Sequence, residues 1–434
     1  MKTFAKSSLP SIHKSNVFVY LFIAEVALLY LGAFIPLPNY GTYLVVYFAV
    51  LVISYIYVYI SSANLKYNLL FFAASTLSVL SLIIGFINGW GFKDILGDSA
   101  RFLAPFIAYG LGKKLLANID LGQLKFLFNR ILKMLLFFTV IGIFLKFYRL
   151  FYLGEPFISY PSGGVEVNIL LFSYCLIALE RVNENPKKKV FFLIIVILFL
   201  SDPVLSVSKS GSLVSVSLII TYLLFFASAS KRLLWFIILI VGTFYVYNIA
   251  SDIGVLTRFS DAMSVVMNLQ ERKLVADYST FTRLVEIRGA VSGLENSQYY
   301  PLSYLIGLGS GATWFSNEFL SSGLAIENYR SNGGVHHIHV EYFSLLFRHG
   351  VVGLIMYLIL LTISFKRAIF IVRKCRDGDR ETFAIAGSIA LVMVGYATYS
   401  LSDTGIYGKF SVGMLAAIAS VLANQKRLRR LSND

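Results

Sequence analysis

Long apolar runs, separated by short polar segments, follow one another along most of the chain. A transmembrane helix needs about 20 consecutive and mainly apolar residues. Runs of suitable length cover residues 17–35, 41–60, 69–88, 102–118, 127–147, 166–180, 190–207, 211–229, 233–250, 338–365, 383–400 and 406–423. The pattern therefore predicts an all-α integral membrane protein with about twelve transmembrane helices.

Composition excludes the other broad classes of protein. The chain has 434 residues, of which 57% are hydrophobic and 14% are charged, and its mean hydropathy is +0.73. Soluble domains carry about 25% charged residues, and disordered chains have low hydrophobicity. Two cysteines, Cys175 and Cys375, are too few for a disulfide framework.

The net charge is +15, and the placement of the basic residues along the chain indicates its orientation in the membrane. Lys2, Lys6 and Lys14 precede the first apolar run, which is too long for a signal-peptide core. With the N-terminus inside, most of the 38 basic residues fall in cytoplasmic segments, as the positive-inside rule requires. We therefore expect cytoplasmic N- and C-termini and no binding of nucleic acid, since no basic stripe interleaves with exposed aromatic residues.

One long polar segment interrupts the apolar pattern and divides the chain. Residues 1–250 form a membrane domain with nine predicted spans, 251–337 form a loop on the outer face, and 338–434 carry three more spans and a cytoplasmic tail. A loop this long in a compact protein is usually functional or disordered. Because it contains eight aromatic residues from Phe259 to Phe315, we expect a folded lid with short helices.

Four of the five histidines, His336, His337, His339 and His349, lie within fourteen residues where this loop returns to the membrane. One interpretation is that they are solvated residues at the membrane interface. Another is that they bind a metal, because His336 and His339 would share a helical face. No Cys, Asp or Glu set with zinc spacing accompanies them. A general base is the better interpretation, because histidine titrates near neutral pH. No metal or other cofactor is expected.

Cations on the outer side suit an anionic substrate. Arg283 and Arg288 lie in a predicted short helix, about 140° apart, and Lys209 lies at membrane depth or at its outer edge. An ionisable residue at that depth is by default a functional candidate, although Lys209 could also snorkel to the interface. Arginine binds phosphate oxygens in a bidentate manner, so these residues favour a diphosphate.

Two short motifs resemble known binding sites, but their surroundings in the sequence argue against that function. Asp377-Gly378-Asp379 resembles the D-x-D element of metal-dependent sugar-nucleotide transferases, but it lies in a basic cytoplasmic loop, where a solvated turn is expected. Gly307-Leu308-Gly309-Ser310-Gly311 resembles a phosphate loop, but no Lys-Ser/Thr follows it. A tight turn in the outer loop is the better interpretation of the glycines.

Four elements, in order along the chain, resemble those of the O-antigen polymerase and O-antigen ligase superfamily of bacterial envelope-glycan enzymes. Ser208-Lys209-Ser210-Gly211 resembles the family's Ser-Arg-x-Gly element, with Lys in place of Arg. Arg283 in TRLVEIRGA resembles the family's loop helix, without its Trp.

The other two elements follow the loop helix. Pro301 and the glycines from Gly307 to Gly311 resemble the family's glycine-rich turn. His339, followed by Gly350 and Gly353, resembles the element that leads into the next span, with Val340 where the family usually has Asn, Ser or Gln. The resemblance covers roughly residues 200–365.

The resemblance implies polymerisation of oligosaccharide repeat units linked to undecaprenyl diphosphate, at the periplasmic face of the bacterial inner membrane. The reaction would invert the anomeric carbon and would need no metal. His339 and Arg283 would be catalytic. Expected substrate contacts are Lys209, Arg288, Arg258, His337, His336 and Arg101. The implied partners are the lipid-linked glycan, membrane lipid and a chain-length regulator protein.

Two alternatives stay open. An O-antigen ligase would transfer the glycan to lipid A–core, and the polymerase is favoured because nothing in the first half of the chain is typical of a site for that acceptor. A glycan flippase or secondary transporter would fit twelve spans equally well. Transporters, however, place ionisable residues at the bilayer midplane, and most of the predicted spans have no charge buried there, with Glu25 as an unexplained exception.

Overall fold

The protein is described here by a computed structural model. It describes residues 69–117, 119–152, 165–181, 186–205, 209–228, 278–315, 334–336, 338–375, 378–401 and 410–431, with residues 17, 20–21, 49–50, 52–57, 60 and 232.

The regular structure of these residues is helical. Within the described residues, Trp314 and Val335 form an isolated antiparallel β-bridge. The helices are α1 (Leu69–Ile87), α2 (Phe92–Leu115), α3 (Leu121–Tyr152), α4 (Val165–Arg181), α5 (Pro186–Leu205), α6 (Lys209–Phe225), α7 (Tyr278–Glu295), α8 (Leu302–Ile306), α9 (Glu341–Cys375), α10 (Arg380–Tyr399) and α11 (Phe410–Leu431).

Three of these helices, α1, α9 and α10, are long and apolar enough to cross a membrane. The all-helical prediction is thus confirmed for the described residues, and the chain has the character of a helical membrane protein. Helices also occupy the predicted spans from 69–88 to 211–229 and from 338–365 to 406–423. The predicted spans 17–35, 41–60 and 233–250 lie wholly or largely outside the described residues, so the number twelve stays a prediction.

Small residues allow the main bundle to pack closely. Helix α2 lies against α1 and α11, and α9 lies against α10 and α11. At the crossing of α2 and α11, a Cβ atom on Gly413 would lie 1.9 Å from the carbonyl oxygen of Pro105. Glycine at this position therefore permits backbone-to-backbone contact, which is how membrane helices gain packing energy without a hydrophobic driving force.

A second, smaller apolar cluster lies beside the bundle. It joins one face of α7, the segments around Leu308 and Val335, and the first turns of α9. Its largest fully buried member is Trp314, which contacts the backbone position of Gly289 on α7. This cluster holds the predicted outer-loop segments against the bundle, and it supports the site described below.

The glycine-rich segment forms a tight turn, as predicted, and the turn is buried between α1 and α9. Gly307, Gly309 and Gly311 have φ values of 80°, 90° and 83°, which favour glycine. Ser310 N–H donates to the Ser81 carbonyl of α1 at 3.0 Å, and Gly309 N–H donates to the Arg348 carbonyl of α9 at 3.2 Å. The turn therefore ties the two helices together.

Asp379 corrects the prediction of a merely solvated turn. Its side chain caps α10 by accepting from the Thr382 backbone N–H at 3.1 Å, and it lies 2.7 Å from Lys125 Nζ of α3. Burial raises the pKa of Asp379, but the hydrogen bonds from Lys125 and Thr382 outweigh it and lower the pKa to about 2. Asp377 lies outside the described residues.

Candidate functional site

Two histidines from one short segment each meet a buried carboxylate from a different helix. Helix α9 begins at Glu341, and residues 338–340 before it are not helical. The expectation that His336 and His339 share a helical face is therefore wrong, because the helix that would align them starts after both. His339 instead meets Glu286 of α7, and His336 meets Asp98 of α2.

Glu286 binds His339 through both of its oxygens. Oε1 lies 2.5 Å from His339 Nδ1, and Oε2 accepts from the His339 backbone N–H at 2.7 Å. The Glu286 side chain is 3% exposed, whereas the His339 side chain is 40% exposed. The carboxylate is therefore shielded from water while the imidazole reaches the surface.

This arrangement assigns roles to the two ring nitrogens of His339. An ionised carboxylate can only accept hydrogen bonds, so Nδ1 carries the proton while the ring is neutral. The lone pair then resides on Nε2. Because the same carboxylate also fixes the His339 backbone, both the tautomer and the position of the ring are set by Glu286. The arrangement resembles that of a base held by an orienting carboxylate.

Asp98 lies at the centre of the second cluster. Its Oδ2 atom lies 2.6 Å from Arg348 Nε and accepts from the Gly311 backbone N–H at 2.9 Å, and its Oδ1 atom lies 3.4 Å from His336 Nε2. Arg348 also donates to the Ser344 hydroxyl and to the His336 carbonyl oxygen. One buried ion pair thus joins α2, the glycine turn, the histidine segment and α9.

The electrostatics of this cluster keep Asp98 ionised. Asp98 lies before the predicted span 102–118. Burial raises the pKa of its carboxyl, but the charge of Arg348 and the hydrogen bond and charge of His336 outweigh burial and hold the pKa well below its usual range. An ionised carboxylate inside a protein needs such partners, because its desolvation is costly.

Arg101 adds a second guanidinium to the same carboxylate. Its Nη1 atom lies 3.9 Å from Asp98 Oδ1, and its side chain is 48% exposed. Because Arg348 is closer to Asp98 and already balances its charge, Arg101 leaves the cluster with an excess positive charge at its exposed edge. An anion approaching from that edge would meet Arg101 first.

The two clusters are close to each other. His336 and His339 are three residues apart, so an extended chain between them spans at most about 10 Å. Arg283 lies three residues before Glu286 on α7, and residues at this spacing are neighbours on a helix surface. The site therefore combines an exposed imidazole with half-buried Arg283 and exposed Arg101.

The other predicted residues are placed as follows. Arg288 is an exposed residue of α7, and Lys209 is the first residue of α6. Arg258 and His337 lie outside the described residues. His349 is fully buried, and its ring stacks on Phe102 with centroids 4.2 Å apart, so it packs within the bundle.

Sequence reasoning missed Asp98, Glu286 and Arg348, the three charged residues that position the histidines. Glu286 looks like one of many charges in a polar loop. Arg348 carried a usable signal, because it lies beside His349 within the predicted span 338–365, and a charge inside a span is a functional candidate by default. Asp98 and Arg101 carried a weaker signal in their i, i+3 spacing.

No family model matches the chain, and no curated protein matches it either.

Proposed function

We propose that the protein is a membrane glycosyltransferase that polymerises oligosaccharide repeat units carried on undecaprenyl diphosphate, at the periplasmic face of a bacterial inner membrane. The observation that carries the proposal is the contact between Glu286 and His339 at 2.5 Å. It supplies what transfer to a hydroxyl needs, which is a base of defined tautomer at an accessible position. The family resemblance supplies the substrate class.

The proposed reaction is a single displacement. The acceptor hydroxyl oxygen attacks the anomeric carbon of the donor glycan, and its proton passes to His339 Nε2. The bond between the anomeric carbon and the diphosphate oxygen breaks with inversion, and the electron pair leaves on polyprenyl diphosphate. The imidazolium that forms is stabilised by Glu286, which is already in contact with Nδ1.

Arginine would balance the charge of the departing diphosphate. Arg283 is one helical turn from Glu286, and Arg101 carries the excess charge of the Asp98 cluster. A well-placed donor of this kind typically contributes about 10²–10³ to the rate. Lys209, Arg288, Arg258, His336 and His337 are further proposed contacts to sugar or phosphate. No metal is required in this scheme.

The experiment uses purified full-length protein in detergent or nanodiscs with lipid-linked repeat units. Formation of a ladder of longer lipid-linked glycans, lost in His339→Gln, would support the proposal. In a deletion strain, single-repeat glycan on the cell surface indicates a polymerase. Accumulated lipid-linked polymer instead indicates a ligase, and lipid-linked units retained inside the cell indicate a flippase; either result would overturn the proposal.

The proposal also fixes the orientation of the chain. Ser297→Cys, after α7, should react with a membrane-impermeant thiol reagent in intact spheroplasts. Gly378→Cys, where a side chain would meet open space, should react only after permeabilisation. The native cysteines Cys175 and Cys375 are buried, so they contribute little background. Reversed labelling would place the site on the cytoplasmic side and overturn the proposed reaction.

A further inference from the structure

Part of the predicted aqueous loop carries an exposed apolar surface. Between α7 and the glycine turn, the exposed side chains include Tyr299, Tyr300, Leu302 and Leu305, and each leucine is 49% exposed. Apolar side chains of this size are rarely exposed side by side in contact with water, and such patches mark interaction sites. The segment 299–306, which includes α8, is called the apolar segment below.

The apolar segment lies at the level where the membrane helices become apolar. The carbonyl of Leu305 packs against Gly350, where a Cβ atom would lie 2.2 Å from the Leu305 oxygen. Gly350 directly precedes the long apolar run of α9, and the side chains of Val351 and Ile355 in that run are exposed. The backbone of the apolar segment therefore meets the start of the exposed apolar run of a helix that is long and apolar enough to cross a membrane.

The glycine turn gives the depth independently. Ser310 N–H bonds to the Ser81 carbonyl, and α1 continues from Ser81 to Ile87. At 1.5 Å per residue, the turn reaches about 9 Å inward from the end of α1. Irregular backbone is tolerated at such a depth only where it is buried in protein, and the turn meets that condition. Its Leu308 carbonyl accepts from Asn88 and Trp90 at 3.0 and 3.1 Å.

We infer that the apolar segment inserts into the outer-leaflet interface and contacts membrane lipid, with Leu302 and Leu305 toward the acyl chains and Tyr299 and Tyr300 at headgroup level. Tyrosine is enriched at this level because its ring is apolar and its hydroxyl is polar. The inference depends on membrane insertion of α1 and α9 and not on the proposed reaction, so either can fail alone.

The test is depth-resolved fluorescence quenching of the full-length protein. Leu305→Cys and, separately, Leu302→Cys are labelled with the environment-sensitive fluorophore NBD in nanodiscs of phosphatidylethanolamine and phosphatidylglycerol. The nanodiscs are prepared with and without phosphatidylcholine that carries a nitroxide on its acyl chain. Ile355→Cys on α9 is the lipid-facing control, and Ser292→Cys on α7 is the aqueous control, because Ser292 is exposed and polar. Two test positions guard against a variant that misfolds.

The expected result is blue-shifted emission at Leu302→Cys and Leu305→Cys, with a loss of intensity to nitroxide lipid as large as that of Ile355→Cys. Iodide, a water-soluble quencher, should quench Ser292→Cys most strongly. Emission and iodide quenching at the test positions like those of Ser292→Cys would overturn the inference, because the segment would then face water. Blue-shifted emission without quenching by nitroxide lipid would also overturn it, because protein rather than lipid would then cover the segment.

Discussion

Replacing Glu286 by Gln should remove the base without removing the histidine. The change keeps the shape of the side chain but leaves one oxygen and one NH₂ group. The oxygen is required to accept from the His339 backbone N–H, which lies 2.7 Å from Oε2. The NH₂ group then replaces Oε1 and faces Nδ1 at 2.5 Å, so Nδ1 becomes the acceptor and the ring proton moves to Nε2. Nε2 can no longer take the proton of the acceptor hydroxyl.

The size of the effect follows from that switch of tautomer. A positioned base contributes about 10²–10⁴ to the rate, so Glu286→Gln should slow turnover by about that factor, equivalent to about 3–5 kcal/mol in the barrier. His339→Gln should fall in the same range. Because both changes remove one function, the double variant should be no slower than His339→Gln alone.

The assay is glycan-ladder formation by purified protein, with Glu295→Gln as the matched control. Glu295 belongs to the same helix but is exposed, and it accepts only a 3.3 Å hydrogen bond from Tyr304. Imidazole ¹⁵N spectra of protein labelled at histidine should show the Nε2–H tautomer appear in Glu286→Gln, a change that simple destabilisation would not produce. Turnover close to wild type in Glu286→Gln, or a double variant slowed by the product of the two factors, would refute the reasoning.

Four further outcomes are expected. Arg283→Ala should reduce product formation by about 10²–10³-fold while Arg373→Ala, an exposed residue of α9, leaves it unchanged; wild-type product from Arg283→Ala would remove this residue from the mechanism. Activity should survive EDTA, because arginines balance the diphosphate charge, and loss restored by Mg²⁺ or Mn²⁺ would contradict this. Asp98→Asn should lower the free energy of unfolding by about 3–5 kcal/mol, because it leaves the Arg348 guanidinium buried without its counter-ion. An unchanged melting temperature in nanodiscs would show that this ion pair does not stabilise the fold. Asp379→Asn keeps a cap but loses the charge. The pKa of Asp379 is lowered from 3.8 to about 2, and because solvent screens this partly exposed ion pair, about 1 kcal/mol should be lost. The wild-type contribution is present above pH 4 and disappears as the pH falls toward 2, so equal stability of the two proteins at pH 6 would contradict it.

The helices were largely predictable because their signal is local. An apolar run of sufficient length has few alternatives to a helix in a membrane protein, and the run 69–88 became Leu69–Ile87 almost unchanged. Bounds were less predictable where polar residues belong to a helix, as in α2, which begins at Phe92 although its apolar run begins near residue 102. The sequence pattern locates apolar stretches, whereas the chain continues a helix through Asp98 because Asp98 has buried partners.

The site was only half predictable, and the missing half is tertiary. His339, Arg283 and Arg101 could be proposed from residue type and position. The carboxylates that position the histidines could not, because their burial depends on contacts between residues far apart, such as the 213 residues between Asp98 and Gly311. The periodicity of apolar residues reflects local structure, so it does not predict contacts between residues so far apart in the sequence. The position of Arg348 within the predicted span 338–365 was the clearest local signal of an unseen acidic partner.

The separation between Asp98 and its partners has a consequence for biogenesis. Asp98 is synthesised with Arg101 as part of α2, but the first of its described partners outside α2, the backbone N–H of Gly311, follows 213 residues later. At about 5–20 residues per second, the carboxylate waits about 10–40 seconds without it, and longer without Arg348 and His336. The contacts of Asp98 outside α2 therefore cannot form while α2 itself is being inserted. The site is completed only when α9 arrives, so a ribosome-bound nascent chain carries no assembled site until most of the protein has been made.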